Sequence, residues 1–263
     1  MRKLILALFI ILGCASLANS GGIISFPGGG AVSSCPPFYN DTNVVLSWDG
    51  EHDDGVLNAC DAAGDAVLFT DSSSDIAVYD IGGDSTTAKM KMDNTNEKMT
   101  YTQTGDQYAK TGTAQTICID IYELQEPAAD VPIFKAYQAT DEANNKMWVY
   151  IDSNDPYRIA GGFYGGGSYN NAVSATFTYA SWEIIGYAYD GVNRDDSANC
   201  GDQATWQDGW EEDLDEIDDD GTPWDTIEVG SQSVDPTVAD AIYIRKWAIV
   251  DEYEFDCKTL TGW

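Results

Sequence analysis

Apolar and polar residues alternate along most of this chain in short runs, and Gly, Asn, Asp and Ser separate the runs. Tyr, Thr, Val and Ile fill them, the residues that suit a pleated, half-buried surface. The pattern predicts strands at 43–49, 66–71, 88–93, 98–103, 114–123, 131–138, 146–152, 158–164, 173–179, 182–189, 225–229 and 240–255. Past the N-terminal region, no window of a dozen residues keeps a helical period with cap signals. In the last run, strict alternation puts Ile242, Ile244, Ala248 and Val250 on one face, and Tyr243, Trp247, Ile249, Tyr253 and Phe255 on the other. Both faces are apolar, which predicts a central strand covered on two sides, or one flanked by a loop. The expected fold is all-β, a sandwich of two antiparallel sheets.

The N-terminus has a different pattern. Arg2 and Lys3 precede an apolar run from Leu4 to Leu12, and small residues follow. Residues 1–20 read as an export signal, too short to span a bilayer as a mature helix. Within it, Ile11-Leu12-Gly13-Cys14 resembles a bacterial lipoprotein box, which would end the signal at Cys14 and lipidate that residue. Cleavage after Ala18 or Ser20 would release the protein instead. Both routes place the domain outside the cytoplasm, extracellular or at the cell surface, and only lipid on Cys14 would tie it to a membrane. Residues 21–42 are rich in Gly, Pro and Ser and read as a tether. It contains an apolar island, Ile23-Ile24-Ser25-Phe26, which either packs on its own domain or is donated as a strand to a neighbouring copy. The sandwich then occupies 43–263, with an acidic insertion at 191–224.

Charge narrows the partners. Lys and Arg number 13 against 44 Asp and Glu, a net charge of −31, and loss of Arg2 and Lys3 makes the mature chain more negative still. Such a surface repels nucleic acid phosphates and anionic headgroups, so neither is an expected partner. It suits solubility in saline water and attracts divalent cations. Of the 6 cysteines, five lie outside the signal: Cys35, Cys60, Cys118, Cys200 and Cys257. The odd number leaves one thiol free or bridging to another chain. Cys118 falls in mid-strand and reads as a small buried hydrophobe.

Three late segments carry a resemblance: Ser181-Trp182-Glu183-Ile184-Ile185-Gly186-Tyr187-Ala188-Tyr189-Asp190-Gly191, Asp225-Thr226-Ile227-Glu228-Val229-Gly230, and Ala241-Ile242-Tyr243-Ile244-Arg245-Lys246-Trp247-Ala248-Ile249. In this order they resemble the laminin-G-like branch of the concanavalin A-like lectin/glucanase jelly rolls. The resemblance spans roughly residues 110–256, and it implies a jelly-roll sandwich whose first and last strands lie side by side. That arrangement implies a staple of the termini by Cys60–Cys257 or Cys35–Cys257, between which the sequence does not choose. Arg245-Lys246 departs from the family, where acidic residues often occupy the closing strand. The fold itself hosts lectins, glycosidases and adhesive modules alike.

Candidate chemistry is concentrated in two places. Glu216-Ile217-Asp218-Asp219-Asp220-Gly221 sets carboxylates of Glu216, Asp218 and Asp220 at alternate positions before a glycine, as a calcium loop does. The match is partial, because Glu stands first and Ile227 holds the twelfth place. The same run compares with the catalytic strand of the β-glucanase relatives. Its third position is Asp220 or Gly221 and not Glu, so glycoside hydrolysis is not expected. His52 is the only histidine, and its acidic neighbours mark a solvated turn rather than a triad. For a glycan, aromatic rings with nearby amides are the usual grip. Tyr164, Tyr169, Asn170 and Asn171, in and after a glycine-rich stretch, and Trp206 and Trp210 in the insertion, are the candidates. The leading expectation is a non-catalytic, lectin-like module that binds glycans, with calcium as a possible aid. The alternative is a structural or adhesive surface protein, or a filament subunit, whose partners are copies of itself.

Overall fold

The computed structural model describes residues 43–49, 58–71, 77–78, 90–92, 98–123, 129–153, 158–165, 168–190, 202–207, 209–213, 222–230, 242–260 and 263. All fall within the unit Ser33–Trp263. In chain order the strands are β1 (Val44–Asp49), β2 (Asn58–Asp61), β3 (Ala66–Leu68), β4 (Thr70–Asp71), β5 (Ala77–Val78), β6 (Met90–Met92), β7 (Lys98–Thr102), β8 (Gln115–Glu123) and β9 (Val131–Tyr137). They continue as β10 (Asn145–Asp152), β11 (Arg158–Gly165), β12 (Ser168–Thr176), β13 (Trp182–Tyr189), β14 (Gln203–Trp206), β15 (Trp210–Asp213), β16 (Thr226–Gly230) and β17 (Ile242–Val250). A ten-stranded sheet runs β15-β14-β13-β8-β17-β1-β2-β3, with β6 beside β17 and β5 beside β6, and a seven-stranded sheet runs β12-β11-β10-β9-β16-β7-β4. Every pairing is antiparallel, so the all-β sandwich expected from the alternation is what forms.

The core lies between the sheets. From the larger sheet come Ile117, Ile119 and Ile121 of β8, Tyr187 and Tyr189 of β13, and Trp247 and Ile249 of β17. From the smaller come Phe134, Met147, Val149, Ile159, Phe163, Ile227 and Val229. Alternation on β8 then turns Cys118 and Asp120 to the outer face. β17 is central as expected, with β8 on one side and β1 and β6 on the other, but its faces differ from strict alternation. A bulge between Ile244 and Lys246 resets the register. Ile242 and Ile244 therefore share the inner face with Trp247 and Ile249, while Ala248 and Val250 face outward into a second apolar cluster. The strand also stops at Val250, and Phe255 belongs to the segment beyond it.

That segment covers the outer face of the larger sheet. Phe255, Cys257 and Leu260 pack on Val44, Cys118, Ala248, Val250 and Trp206. A single 3-10 turn at Cys257–Thr259 is capped by Asp256, whose side chain accepts from the Lys258 amide. Cys257 is disulfide-bonded to Cys118. This corrects the expected Cys60–Cys257 or Cys35–Cys257 staple and the reading of Cys118 as a lone buried thiol. Cys257 meets Cys118 because the segment after β17 folds across the outer face of the sheet, to which alternation on β8 turns Cys118. Cys60 is also disulfide-bonded, to a partner outside the described residues, and Cys35 itself lies outside them.

The two sheets approach closely at a glycine. A Cβ on Gly161 would lie 2.1 Å from Tyr187 Cδ2, so the tyrosine ring rests directly on the backbone of β11. Its hydroxyl donates to Gln203 Oε1 at 2.8 Å, which holds the ring in place. Gly161→Ala should therefore destabilise by about 1–3 kcal/mol or more through overpacking. For a domain of this size that lowers the melting temperature by about 2–4 °C per kcal/mol. Gly209→Ala, with nothing within 4 Å of its added carbon, should melt like the parent, and equal melting of the two variants would refute the close contact.

Candidate functional site

The outer face of the seven-stranded sheet gathers charged and aromatic side chains into two rows. Register places Thr100 of β7, Glu228 of β16, Lys135 of β9, Trp148 of β10 and Gly162 of β11 in one line across five strands. The next line runs Thr102, Thr226, Tyr137, Lys146, Tyr164 and Tyr169. On β7, β9, β10 and β16 these residues are two apart, so the alternation that buries Phe134, Ala136, Met147 and Val149 turns their side chains outward. Gly162 leaves the floor beside Trp148 without a side chain.

The entry to β16 is held by a polar network beneath this face. The buried Gln103 amide donates to the carbonyls of Ala109 (2.8 Å) and Trp224 (2.9 Å) and accepts from the amides of Tyr108 and Ala109 at 3.1 and 3.2 Å. Trp224 Nε1 donates to Asn145 Oδ1 at 2.9 Å, and Asn145 Nδ2 donates to the Thr222 carbonyl at 3.2 Å. Asn145 begins β10, so the network fixes β16 relative to the strand that carries Trp148.

Charge on the face is closely compensated. Glu228 Oε1 accepts from Lys98 Nζ at 2.5 Å and from Tyr137 Oη at 2.6 Å, and Oε2 pairs with Lys135 Nζ at 3.0 Å. Lys135 Nζ also reaches Glu142 Oε1 at 2.6 Å, in the turn between β9 and β10. Burial alone would push the Glu228 carboxyl up, but hydrogen bonds from Lys98 and Tyr137 and the charge of Lys135 outweigh it and hold it below the ordinary range. Tyr137 is pushed the other way, by burial and by its bond to Glu228. Burial lowers the Lys146 ammonium, with Glu142 opposing the shift and Lys135 adding to it. Lys146 Nζ lies 4.9 Å from the Trp148 ring centre, and the Tyr150 ring centre is 4.7 Å away. Lys146 and Tyr150 precede and follow Trp148 on this face and flank the indole, which is half-buried with its Nε1 inside, while Tyr150 is buried. Lys135 lies over the Tyr137 ring at 4.6 Å in the same manner.

The residues singled out from the sequence are distributed unevenly. Tyr164 and Tyr169 pair with each other on β11 and β12 and fall at the register position of Tyr137 and Lys146. Asn170 pairs with Phe163 and so belongs to the adjacent row, whose Phe163 is buried, while Asn171 pairs with Gly162. Trp206 and Trp210 lie on the hairpin β14–β15 at the edge of the other sheet, paired with each other. Trp206 is buried in the cluster under the C-terminal segment, with Trp210 packed against it. They form no part of the face described above. Glu216, Asp218, Asp220, Cys14 and the island Ile23–Phe26 lie outside the described residues. Among the described residues no group of three or more His, Cys, Asp or Glu is placed to hold a metal ion. Lys135, Lys146, Trp148, Tyr150 and Glu228 were not singled out from the sequence. The visible signal was charge set between aromatic and apolar residues inside strands, Phe134-Lys135-Ala136-Tyr137 and Lys146-Met147-Trp148-Val149-Tyr150.

No protein-family model and no curated protein matches the chain. Solved structures do. The ligand-binding domain of botulinum neurotoxin serotype D in complex with N-acetylneuraminic acid superposes with a TM-score of 0.54 at 12% identity, covering 83% of this chain and 49% of that one. The serotype G binding domain gives 0.56 at 15% identity, covering 84% and 50%. At such identity the likeness is one of fold, a β-rich architecture of two antiparallel sheets. The chain spans about half the length of these domains.

Proposed function

We propose that this chain is a non-catalytic glycan-binding module of the lectin-like jelly-roll kind, acting outside the cell, with the outer face of β9, β10, β11 and β16 as its binding surface. The observation that carries the reading is the half-buried Trp148 on β10, set between the Lys146 ammonium and the buried Tyr150 ring. Glycan sites combine aromatic surface with a few fixed polar groups, and this strand offers both. A sugar would meet the exposed part of the Trp148 indole, with its hydroxyls ordered by the Lys146 ammonium and the Glu142 carboxylate. That the similar serotype D domain is described in complex with N-acetylneuraminic acid supports the class of ligand, although half of that domain has no counterpart here.

Absence of catalysis is part of the proposal. A glycosidase needs a carboxyl that holds its proton until the leaving group takes it. Glu228, the buried carboxylate on this face, is tied to Lys98, Lys135 and Tyr137 and has no proton to give. Calcium at Glu216, Asp218 and Asp220 remains the proposed aid. A glycan array probed with the wild-type protein, with calcium and with a chelator, should find bound oligosaccharides. Trp148→Ala and Lys146→Ala should weaken them about tenfold each, equivalent to about 1.4 kcal/mol. Leu68→Ser, at a position 67% exposed on the other sheet, should bind like the parent. If no glycan is retained, or if folded Trp148→Ala binds as well as the parent, this reading is wrong.

A further inference from the structure

The outer face of the ten-stranded sheet carries a charged cluster that glycan binding does not use. Asp120 lies in the middle of β8, opposite Ile184 of β13 on one side and Lys246 of β17 on the other. Asp49 of β1 comes next in the row, paired with Lys246, and their charged atoms are 3.7 Å apart. The bulge in β17 inserts Arg245 just before Lys246, and such an insertion re-aims a side chain. Arg245 Nε and Nη2 both reach Asp120 Oδ2 at 2.6 Å. The guanidinium carbon lies 4.4 Å from the centre of the Trp182 ring.

Asp120 is fully buried, and its Oδ1 has no hydrogen-bond partner. Among the described residues, the charged groups that face it are Arg245 and Lys246 from β17 and Asp49 from β1. From β13 come Ile184 and Trp182, which do not titrate, and along β8 the next outward residue is Tyr122. A buried carboxylate with one oxygen bare is stabilised by a proton, since the neutral acid is far cheaper to keep from water. Once neutral, it no longer holds the guanidinium by charge. The Arg245 side chain is already 25% exposed, so its route into water is short.

We propose that Asp120, Arg245 and Trp182 form an acid-sensitive latch. In neutral medium the Asp120 carboxylate pins Arg245 across the Trp182 ring. Proton uptake by Asp120 releases the guanidinium to water and uncovers an aromatic group in which the Tyr122 ring lies 5.5 Å from Trp182 and 6.0 Å from Tyr243. The atoms balance simply: one proton enters from solvent onto Asp120, and one ion pair opens. Burial, against the pull of Arg245, raises the Asp120 carboxyl to about 6, so the transition falls between neutral and mildly acidic conditions. An unperturbed imidazole would add a signal of its own near this interval, so His52, the only histidine, is removed.

The test uses the whole mature chain carrying His52→Gln. The Asp120 carboxyl carbon and the Trp182 indole N–H, the latter assigned through Trp182→Phe, are followed by NMR as the medium is acidified. Both signals should shift together with one midpoint near 6. Asp120→Asn should abolish the Trp182 shift, and Arg245→Gln should hold Trp182 at its acid position throughout. Should Asp120→Asn fail to fold, Arg245→Gln decides alone, because its side chain reaches the surface. A Trp182 signal that still titrates without Asp120 or Arg245, or that never moves while Asp120 takes up its proton, overturns the latch.

Discussion

Replacing Glu228 with alanine should cost about 3–5 kcal/mol, the range for removing one partner of a buried ion pair. The side chains of Glu228 and Lys135 are 4% and 5% exposed, so the ammonium left behind cannot simply turn to water. Lys98 and Tyr137 lose the same acceptor. Glu142 keeps one contact with Lys135, which places the effect nearer the lower limit. The expected melting temperature is lower by the order of 10 °C. Glu228→Gln, which keeps an acceptor oxygen but no charge, should fall between. A Glu228→Ala variant as stable as the parent would show that the ladder is not the support of this face.

Acid should act on this carboxylate and on Asp120 in opposite senses. Glu228 is held below its ordinary value of 4.5, so it stabilises the fold above that value and the contribution is lost as pH falls through the folded value. Asp120 is raised from 3.8 to about 6. Its contribution is complete below the lower figure and disappears as pH rises through the upper one. Melting temperature should therefore rise on acidification from neutrality through the Asp120 interval, then fall once Glu228 takes up its proton. Asp120→Asn should flatten the first limb and Glu228→Gln the second.

The contrast between the two carboxylates explains what was legible in the chain. Alternation betrays faces, so β1, β7 through β11, β13, β16 and the central place of β17 could be read directly. A bulge leaves no period of its own. The only sign of the one in β17 was a pair of cations, Arg245-Lys246, inside an otherwise apolar strand. Missing it shifts half of the strand to the wrong face, and with it the environment of Asp120. The short strands β2, β5, β14 and β15 were hidden for a different reason. β14 and β15 sit in an acidic stretch whose tryptophans suggested exposed sugar platforms, yet Trp206 is 4% exposed, because the C-terminal segment folds over it. Lys135 and Glu228 pair across neighbouring strands from positions 93 residues apart. A contact so distant in sequence is fixed by sheet order, which alternation within a strand does not encode.

The same dependence on sheet order governs the cysteines, and it yields the second large expected effect. The bond between Cys118 and Cys257 closes a separation of 139 residues, from β8 to the segment beyond β17. Loop closure on that scale stabilises by restricting the unfolded chain, and removal of such a bond typically costs about 2–5 kcal/mol. Cys118→Ala with Cys257→Ala should lower the stability by that amount, and the melting temperature by about 2–4 °C for each kcal/mol, and loosen the segment that covers Val44, Ala248, Val250 and Trp206. Limited proteolysis should then cut after Val250 before it cuts elsewhere. A reducing agent is a poorer probe, because Cys60 is also disulfide-bonded and would be reduced with it. Gly186 offers an independent check. A Cβ there would lie 3.2 Å from Cys257 Sγ and 3.2 Å from Trp206 Cβ, so the glycine makes room for both. Gly186→Ala should destabilise the parent, and less so the double alanine variant, where the sulfur is gone. The difference, read from a double-mutant cycle, measures how tightly the sulfur bridge is seated. If Gly186→Ala costs the same in both backgrounds, the bridge does not rest on β13.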